Sequence, residues 1–446
     1  MDVIRPQKIQ RVKPSAAPKG GTPVEHVGCP DLGTEIIPKE RYTSAEFMAQ
    51  EWDKIWTKVW NLGGMERDIP EPGDYICTDI GKESVIIIRQ VGGGVKAFYN
   101  VCAHRGNQLA PQGVGKAADG FTCSYHGWQY AVDGRIKDIP DLNTFRQGKP
   151  CDGLTEIPCD MWGGFVWFNL NPNAEPLLDY LDIIPSHIDP YHFERMTLTR
   201  DVTMEWECNW KASVDAFNET YHVQATHPQL LWYLDDLNVQ IDCYDKHSRY
   251  LVPFGTVSQR VHYPPEVPEP IKVIMKAAEM DPAAYEGDRT KIREAVQKHK
   301  RKHGAEQGKD YSELNDDQLT DDYNYLVFPN ITLNTHADDL MLFRHRPHPT
   351  DPNKMYFDVW TFELLPEAER DAPRRRPRHR FFRQGEKTLG KVVDQDASNL
   401  PRVQRGMNSA AYKGLWLSEQ EVRIRHFHKV LSDYIYGAKG KGPNDI

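Results

Sequence analysis

The sequence lacks an apolar run close to the roughly 20 residues that a membrane-spanning helix needs. Its first residues also lack the apolar core of a secretory signal peptide, so we expect a cytoplasmic protein with no membrane partner. Positive charge is in deficit, and the net charge of −9 argues against a nucleic-acid partner. A chain of 446 residues with 39% hydrophobic content can form two globular domains.

Two motifs of redox proteins are also missing. There is no G-x-G-x-x-G nucleotide fingerprint, because the glycine run at 92–94 lies between two strand-like segments and no helical pattern follows it. There is no C-x4-C-x2-C motif of a plant-type ferredoxin. A chain of this kind cannot take electrons from NAD(P)H unaided.

The cysteines do not indicate a disulfide framework. In a large chain without a secretion signal they are more typical of thiols and metal ligands. Outside the metal motif described next, we expect buried free thiols. These are Cys29, Cys77, Cys151, Cys159, Cys208 and Cys243.

Two Cys/His pairs form the most informative motif of the chain. Cys102-Ala-His104 and Cys123-Ser-Tyr-His126 are separated by eighteen residues. Two thiolates on one iron and two imidazoles on the other are the ligands of a Rieske-type [2Fe-2S] cluster, whose potential lies above that of an all-cysteine cluster. The pairs therefore predict a protein that transfers single electrons.

A closed zinc site is the alternative for the same four ligands. The spacing within C-x-H is very short, and the flanks 105–106 and 127–128 predict tight turns whose N–H groups could point at bridging sulfides. A second metal motif that needs electrons also follows downstream. These three features favour the iron–sulfur cluster.

The second motif contains His222 and His227, five residues apart. On a continuous helix the two rings would point about 140° apart. Pro228 disfavours the helical conformation of His227, so we expect the helix predicted over 210–226 to end between the two histidines. Both imidazoles can then face one ion, and a carboxylate would complete the facial triad of non-haem Fe(II).

Four acids are candidates for that carboxylate: Asp215, Glu219, Asp394 and Asp396. The pattern alone does not choose among them. Glu219 and His222 also form the Glu-x-x-His pair of di-iron bundles, but those need a second such pair on another helix, and none is found.

The periodicity predicts an α+β fold made of two parts. Residues 73–170 are strand-like and predict a small all-β domain that carries both Cys/His pairs. Strand signals at 202–206, 325–333 and 355–362, together with helical patterns at 210–226 and 392–436, predict long helices on one antiparallel sheet. A polar segment over about 264–322 looks like an insertion or a cap, and the basic run 374–380 is either a solvated loop or a docking surface for an acidic electron carrier.

In this order, C-x-H-R-G, C-x-x-H-G-W and N-W-K…E-x-Y-H-x4-H resemble the catalytic α subunit of Rieske non-haem iron oxygenases, the ring-hydroxylating oxygenases. The resemblance runs from about Tyr42 to Tyr436. It implies an N-terminal arm at 1–40, a Rieske domain at 41–172 with a preceding helix, and a helix-grip catalytic domain at 173–446.

The resemblance also assigns the site residues. It implies that Cys102, Cys123, His104 and His126 hold the cluster. It further implies that His222, His227 and Asp396 hold the mononuclear Fe(II), the last because Val403-Gln-Arg-Gly406 follows at the interval usual in the family. Glu219 takes the place of the acid that links the mononuclear iron to the cluster histidine, here His126, of the neighbouring subunit.

The activity that the resemblance implies is that of a terminal oxygenase, which uses electrons from the cluster to activate O2 and hydroxylate an aromatic or related organic substrate by ring dihydroxylation. The alternative is a monooxygenase or oxidative demethylase that acts on a non-ring carbon. A pure electron carrier is a third possibility from another class. The implied partners are a separate ferredoxin or flavin reductase, and the implied assembly is a homotrimer, with or without a β subunit.

Overall fold

The computed structural model describes residues 26–285, 289–370 and 376–437. Residues 1–25 of the predicted N-terminal arm and residues 374–375 of the basic run lie outside these ranges. The chain forms two compact units. The smaller unit is Ala49–Asp182, and the larger unit joins the described residues up to Met48 to those from Ile183 onward.

The strands are numbered in chain order. They are β1 (Ile37–Pro38), β2 (Trp60–Met65), β3 (Asp74–Ile80), β4 (Glu83–Arg89), β5 (Val95–Tyr99), β6 (Gly113–Lys116), β7 (Phe121–Thr122), β8 (Gln129–Tyr130), β9 (Ile136–Asp138), β10 (Glu156–Ile157), β11 (Cys159–Trp162), β12 (Phe165–Asn169), β13 (Thr197–Trp206), β14 (Gln240–Cys243), β15 (Ser248–Val252), β16 (Asp322–Val327), β17 (Ile331–Thr335), β18 (Asp339–Pro347), β19 (Met355–Glu363), β20 (Arg380–Arg383) and β21 (Gly414–Leu415).

The α-helices are numbered in the same way. They are α1 (Glu40–Thr43), α2 (Ala45–Glu51), α3 (Leu177–Leu181), α4 (Ile184–Ile188), α5 (Trp210–Ala216), α6 (Val223–Thr226), α7 (Glu269–Ala277), α8 (Ile292–His303), α9 (Glu367–Arg370), α10 (Lys391–Met407) and α11 (Val422–Tyr436). None of the helices among the described residues combines the length and the hydropathy of a membrane span.

The smaller unit is built from antiparallel sheets. One has the strand order β10-β5-β4-β3-β6, a second is β11-β12-β2, and a third is β7-β8-β9. Strand β4 is buried from Val85 to Ile88, as its continuous β-branched run predicts. The turn between β4 and β5 uses positive φ at Gly92 and Gly93, which confirms the predicted hairpin.

The larger unit is built on one sheet with the order β14-β15-β16-β17-β18-β19-β13-β20. Its strand pairs are antiparallel except for β13 with β20, which is parallel. Helix α11 packs against β14 and β15, and α5 packs against β18 and α10. Helices on an antiparallel sheet confirm the predicted α+β class.

The helix predicted over 210–226 is interrupted. Helix α5 ends at Ala216, and α6 begins only at Val223. In the gap, the Glu219 carboxylate accepts a hydrogen bond from the His222 N–H at 3.0 Å. A side chain that binds a backbone N–H in this way competes with the helical hydrogen bond. The predicted continuity of the helix over 210–226 was therefore wrong. The predicted helix end between the two histidines is confirmed, because α6 ends at Thr226 and His227 leaves the helical conformation, with φ −124° and ψ 52°.

The C-terminal helix predicted over 392–436 is also interrupted. Helix α10 ends at Met407, and the chain then forms the short strand β21 before α11 begins at Val422. Strand β21 pairs with β1. The Ser418 and Glu421 side chains form a capping box that starts the helical turn leading into α11.

Two cysteines that were expected to be free thiols are joined in a disulfide, Cys29 with Cys243. The segment that carries Cys29 is held along β14, because Asp242 accepts hydrogen bonds from the N–H groups of Val27 and Gly28. The expectation of a free thiol was wrong at these two positions. The pattern could not reveal the contact, because its two residues are 214 positions apart.

The polar segment 264–322 contributes to the hydrophobic core. Ile271 and Met275 of α7 and Ile292 and Val296 of α8 are buried in one cluster with Leu231. In the described part of the basic run, Arg376 and His379 both bond to Asp201, at 2.6 and 2.9 Å. Asp201 therefore neutralises part of that positive charge.

Candidate metal centres

The two Cys/His loops of the smaller unit are closed by the same backbone hydrogen bonds. In each, the glycine four residues after the cysteine donates to the cysteine carbonyl at 3.0 Å. The cysteine N–H donates to the carbonyl five residues further on, at 2.8 Å. Gly106 and Gly127 adopt φ of 78° and 73°, a region that glycine enters without strain and that confirms the two predicted turns.

These loops bring the four predicted cluster ligands together. The rings of His104 and His126 are 4.4 Å apart, and the side chains of Cys102 and Cys123 are buried. The Nδ1 atom of His104 is buried and has no hydrogen-bond partner among the described residues. A buried polar atom without a partner calls for a ligand, so the donor set of two thiols and two imidazoles fits a [2Fe-2S] cluster.

Backbone N–H groups lower the pKa of one thiol. At Cys123, burial raises the pKa, but the N–H groups of Tyr125 and His126 outweigh it, so that the net pKa is lowered. Burial raises the pKa of Cys102. Donors that stabilise a thiolate also stabilise the ligand form of the residue.

The contacts of two aromatic residues beside the cluster loops were not predicted from the sequence. The Tyr130 hydroxyl lies 3.2 Å from Cys102 Sγ and accepts a hydrogen bond from the N–H of Ala103. The Trp128 ring stacks on His104 with an interplanar angle of 3°. Trp128 is the last residue of the C-x-x-H-G-W motif, so its position beside the cluster loop could be read from the sequence, whereas the role of Tyr130 depends on the pairing of β8 with β7 and β9.

The second site lies in the larger unit, where His222, His227 and Asp396 meet. One nitrogen of each ring and one Asp396 oxygen all lie within 4.8 Å of one another. His227 Nε2 is 2.9 Å from Asp396 Oδ1, and His222 Nε2 is 3.7 Å from the same oxygen. Two imidazoles and a carboxylate are the donor set of a mononuclear non-haem Fe(II) site.

The other ring nitrogen of each histidine has its own acceptor. His222 Nδ1 donates to Glu219 Oε1 at 2.5 Å, and His227 Nδ1 donates to Gln395 Oε1 at 2.9 Å. Carboxylate or amide acceptors of this kind orient the ring and select the tautomer whose Nε2 is free to bind a metal. Gln395 was not identified from the sequence, although it directly precedes Asp396.

Charges at this site act on His222. Burial lowers the pKa of His222, but the carboxylates of Glu219 and Asp396 outweigh this effect and the net pKa is raised. The same negative charges would stabilise a bound cation.

The remaining candidate acids have other partners. Asp215 accepts a hydrogen bond from the Tyr42 hydroxyl at 2.5 Å, and burial raises its pKa to about 8. Asp394 accepts hydrogen bonds from the Leu389 N–H and the Thr388 hydroxyl at the start of α10. Of the four acids weighed from the sequence, Asp396 is the one whose carboxylate faces both imidazoles.

A cavity of about 700 Å³ opens beside the second site. Its lining includes Asp215, Glu219, His222 and Asp396. Trp416 also lines this cavity and is 85% exposed.

Two family models match the chain. The model of the Rieske [2Fe-2S] domain matches residues 59–155, and that of the ring-hydroxylating alpha subunit (catalytic domain) matches residues 193–437. The chain belongs to the ring-hydroxylating alpha-subunit family. The cofactors of its two domains are a Rieske [2Fe-2S] cluster and a mononuclear iron.

The chain is similar to the glycine betaine monooxygenase oxygenase subunit of Pseudomonas aeruginosa (strain UCBPP-PA14), with 32% identity over 44% of this chain and 45% of that protein. It is also similar to the carnitine monooxygenase oxygenase subunit of Acinetobacter pittii (strain PHEA-2), with 28% identity over 52% of this chain and 62% of that protein. The matches thus span about half the length of these relatives. Among solved structures, naphthalene 1,2-dioxygenase with bound indole matches 90% of this chain and 92% of its own, with a TM-score of 0.62 and 20% identity. At that identity the likeness concerns the fold.

Proposed function

We propose that this chain is the terminal oxygenase component of a Rieske monooxygenase system that acts on a non-ring carbon of a small organic substrate. The observation that carries the proposal is the meeting of His222, His227 and Asp396 in a chain that also has a Rieske domain. The names of the two relatives, glycine betaine and carnitine monooxygenase, support a non-ring carbon as the target.

We propose Cys102, His104, Cys123 and His126 as the cluster ligands, and His222, His227 and Asp396 as the ligands of the mononuclear iron. When bound, the cluster would supply single electrons and the iron would supply O2 activation. The Nε2 atoms of His222 and His227 are presented by the acceptors on their Nδ1 atoms, and Asp396 brings one negative charge. We also keep the predicted domain boundaries, 41–172 and 173–446, as part of the proposal.

Glu219 is proposed as the link for electrons that arrive from another copy of this chain. Its Oε1 atom already holds His222, and the same carboxylate lines the open cavity beside exposed Trp416. A carboxylate has enough acceptor sites for a second imidazole N–H, here that of His126 of the neighbouring subunit. The His126 side chain is exposed on its loop and available for such a contact.

The proposed assembly is a homotrimer, with or without a β subunit. The proposed electron donor is a separate ferredoxin or flavin reductase, because the sequence has no nucleotide fingerprint of its own. An electron carrier without oxygenase activity is disfavoured, since such a protein would need no second site with a facial-triad donor set.

Ring dihydroxylation, which the sequence analysis placed first, is the second candidate. The fold it shares with naphthalene 1,2-dioxygenase is compatible with it. The relatives' names favour the monooxygenase.

The test is substrate-dependent consumption of NADH and O2 by the holoenzyme with a surrogate reductase. The panel contains glycine betaine, carnitine, benzoate and naphthalene, and the products are identified by mass spectrometry. We expect oxygenation of the N-methyl compounds. If the only product is a cis-diol formed from benzoate or naphthalene, ring dihydroxylation replaces the proposed monooxygenase activity. An absence of O2 consumption with any reductant would contradict both activities.

A second test addresses the ligands. Asp396→Ala and His222→Ala should remove one iron per chain and abolish oxygenation, while the visible spectrum of the cluster survives. Iron analysis and absorbance spectroscopy measure the two effects separately. Normal iron content in both variants would contradict the assignment. The variant Asp394→Ala is the matched control, because this neighbouring acid bonds to the start of α10 instead.

A further inference from the structure

Asp215 is a buried carboxyl group on the wall of the cavity beside the mononuclear site. It lies on α5 with 6% exposure, and Glu219, His222 and Asp396 line the same cavity. Its Oδ2 atom accepts the hydrogen bond from Tyr42, whereas its Oδ1 atom is buried and has no hydrogen-bond partner among the described residues. One oxygen of this carboxyl is therefore held by the protein, and the other is left for a proton or a ligand.

A chain of hydrogen bonds fixes the direction in which the Tyr42 hydroxyl points. Arg41 has only donors, and its Nη1 atom lies 3.5 Å from His428 Nδ1, so this ring nitrogen is the acceptor. The proton of the neutral ring is then on Nε2, which lies 2.7 Å from the Tyr42 oxygen. Tyr42 in turn donates to Asp215 Oδ2 at 2.5 Å. The donors thus follow one order, from Arg41 through His428 and Tyr42 to Asp215.

This chain does not accept a proton from Asp215. To do so, His428 would have to become a cation. Burial lowers the pKa of His428 well below its usual value, and the charges of Arg41 and Lys211 lower it further. The side on which Asp215 exchanges a proton is therefore its Oδ1 atom and the cavity.

The surroundings of Asp215 keep its proton in place near neutral pH. The ionisable groups around it come from several elements, and they are Tyr42 of α1, Lys211 of α5, Glu219 after α5, Tyr412 before β21, and Glu421 and His428 at α11. Burial has the largest effect and raises the pKa of Asp215 to about 8; Glu219 and Glu421 act in the same direction, and the Tyr42 bond and Lys211 oppose it. A carboxyl whose pKa lies close to the working pH can both release and regain a proton.

The other carboxyl groups in the described lining of this cavity have different tasks. Asp396 faces both imidazoles of the metal site, and Glu219 is bonded to His222. Glu421 belongs to the capping box that precedes α11. Asp215 is the remaining acid of this lining, and it has none of these tasks.

The cavity gives the Asp215 proton a path to the metal site. Its volume of about 700 Å³ has room for several waters, since each takes about 30 Å³ in the liquid. Waters that connect Asp215 to the wall formed by His222 and Asp396 can pass a proton along without any movement of the protein.

The proposed reaction consumes protons. When one oxygen atom of O2 enters a C–H bond, the O–O bond breaks, and two electrons and two protons are taken up to give one C–OH group and one water. Ring dihydroxylation takes up the same two electrons and two protons to give the diol. The electrons come from the reductase through the cluster. A side chain that holds a proton beside the reacting oxygen accelerates such a step.

We propose that Asp215 is the proton donor of the oxygenase reaction: its Oδ1 atom releases a proton into the cavity towards His222, His227 and Asp396, and it regains one from water in that cavity. Tyr42 stabilises the resulting carboxylate through Oδ2 and is a positioning residue. The inference rests on the proposed function and adds a residue to it. It holds for a monooxygenase and for a dioxygenase alike, because both consume protons.

The protonation of Asp215 is measured first, without turnover. Infrared difference spectra between wild type and Asp215→Asn, both as resting holoenzyme, isolate the C=O stretch of a protonated carboxyl group. We expect this band in the wild type at about pH 7, a shift of it in D2O, and its loss as the pH rises through about 8. If the difference spectrum contains no such band, the proposal is overturned.

The donor role is then measured in a single turnover. Reduced holoenzyme is mixed with O2 and with the compound among glycine betaine, carnitine, benzoate and naphthalene that the wild type oxygenates. We expect Asp215→Asn to form product about 100- to 10,000-fold more slowly, with unchanged iron content and an unchanged cluster spectrum. The wild-type rate should fall above about pH 8, and the variant should lose this dependence. A merely structural role would lower the rate equally at every pH.

Two further variants separate the donor from its surroundings. Asp215→Glu keeps a carboxyl group and should regain part of the rate. Tyr42→Phe removes the bond that lowers the pKa of Asp215, so the pH at which the rate falls should move upward. The matched control is Asp394→Asn, which should react at the wild-type rate, because the Asp394 carboxylate bonds to the start of α10 instead.

An Asp215→Asn variant with the wild-type rate and pH profile would overturn the donor role. A variant that loses iron would overturn it too, because Asp215 would then support the metal site. Failure of the proposed function looks different. If the wild type itself consumes no O2 with any compound of the panel, the oxygenase and its proton donor both fall, although the infrared band of Asp215 remains.

Discussion

His227 Nδ1 donates a hydrogen bond to Gln395 Oε1 at 2.9 Å, so the residue next to Asp396 orients the imidazole whose other nitrogen faces Asp396. Gln395 is itself held by the Gln229 amide, which donates to the same oxygen at 2.7 Å. Two consecutive residues of α10 thus act on opposite sides of one histidine. The ring is positioned before any metal binds.

We expect Gln395→Leu to weaken iron binding about 10- to 100-fold, the usual cost of losing an acceptor behind a metal-bound histidine. Iron release to a chelator, followed by iron analysis, measures the effect. Gln395→Glu keeps an acceptor and should retain the metal. The control is Gln224→Leu, since that exposed amide bonds to the Tyr221 carbonyl and not to a histidine. Equal iron release from Gln395→Leu and wild type would contradict this role.

Glu219 is expected to act in electron transfer and not only in holding His222. Glu219→Gln keeps an oxygen that can accept from His222 Nδ1 but loses the charge, and we expect single-turnover oxygenation to slow about 10- to 100-fold with both metals bound. Rapid-mixing measurement of cluster oxidation gives the rate. Glu219→Asp, which shortens the side chain by one methylene, should slow it less. An unchanged rate in Glu219→Gln would remove Glu219 from the electron path.

Tyr130 should tune the cluster potential. Its hydroxyl lies 3.2 Å from Cys102 Sγ, and a hydrogen bond to a ligand sulfur raises the potential. We expect Tyr130→Phe to lower the midpoint potential by roughly 40 mV, the equivalent of about 1 kcal/mol for one electron. Spectroelectrochemical titration measures it. Tyr125→Phe is the control, because its hydroxyl makes no hydrogen bond within the described residues. A larger drop in the control would contradict the assignment.

Asp215 should make stability depend on pH. Burial raises its pKa in the folded protein to about 8, against an ordinary value of 3.8. The native state therefore binds more protons than the unfolded state between these values. The stability that Asp215 contributes is complete below the pKa that this carboxyl has in the unfolded state. It is lost as the pH rises through the pKa that the carboxyl has in the folded state.

Asp215→Asn should remove this dependence, because an amide keeps an oxygen that can accept from the Tyr42 hydroxyl and does not titrate. We expect the variant to gain stability relative to wild type between about pH 5 and about pH 8, by up to about 1.4 kcal/mol per pH unit. Thermal unfolding midpoints across this range measure the difference. The exposed Asp179→Asn serves as control. If the difference in unfolding midpoint between wild type and Asp215→Asn does not change with pH, the raised pKa of Asp215 is contradicted.

The metal centres differ in how far the sequence could predict them. The cluster ligands are local, since each pair lies within four consecutive residues and the following glycine closes the loop. Asp396 is 169 residues from His227, and the residue pattern left four acids open. The family interval before Val403 pointed to Asp396, whereas the pattern contained nothing about Gln395 or Tyr130.

Two expectations were wrong because each concerned a contact that the residue pattern does not contain. The helix over 210–226 is broken before His222 because Glu219 binds the His222 N–H, a side-chain interaction that hydrophobic periodicity does not register. The Cys29–Cys243 disulfide was missed because cysteine usage indicates a compartment and not a contact.

The sequence by itself determined the α+β class, the two metal motifs and the ligand types, because these depend on hydrophobic period and on short spacings along the chain. Only the tertiary structure decided which acid faces His222 and His227, and which group holds the Nδ1 atom of His227. Those relationships join residues far apart in sequence, and they exist only once α10 packs in the larger unit and sets distances that no spacing along the chain contains.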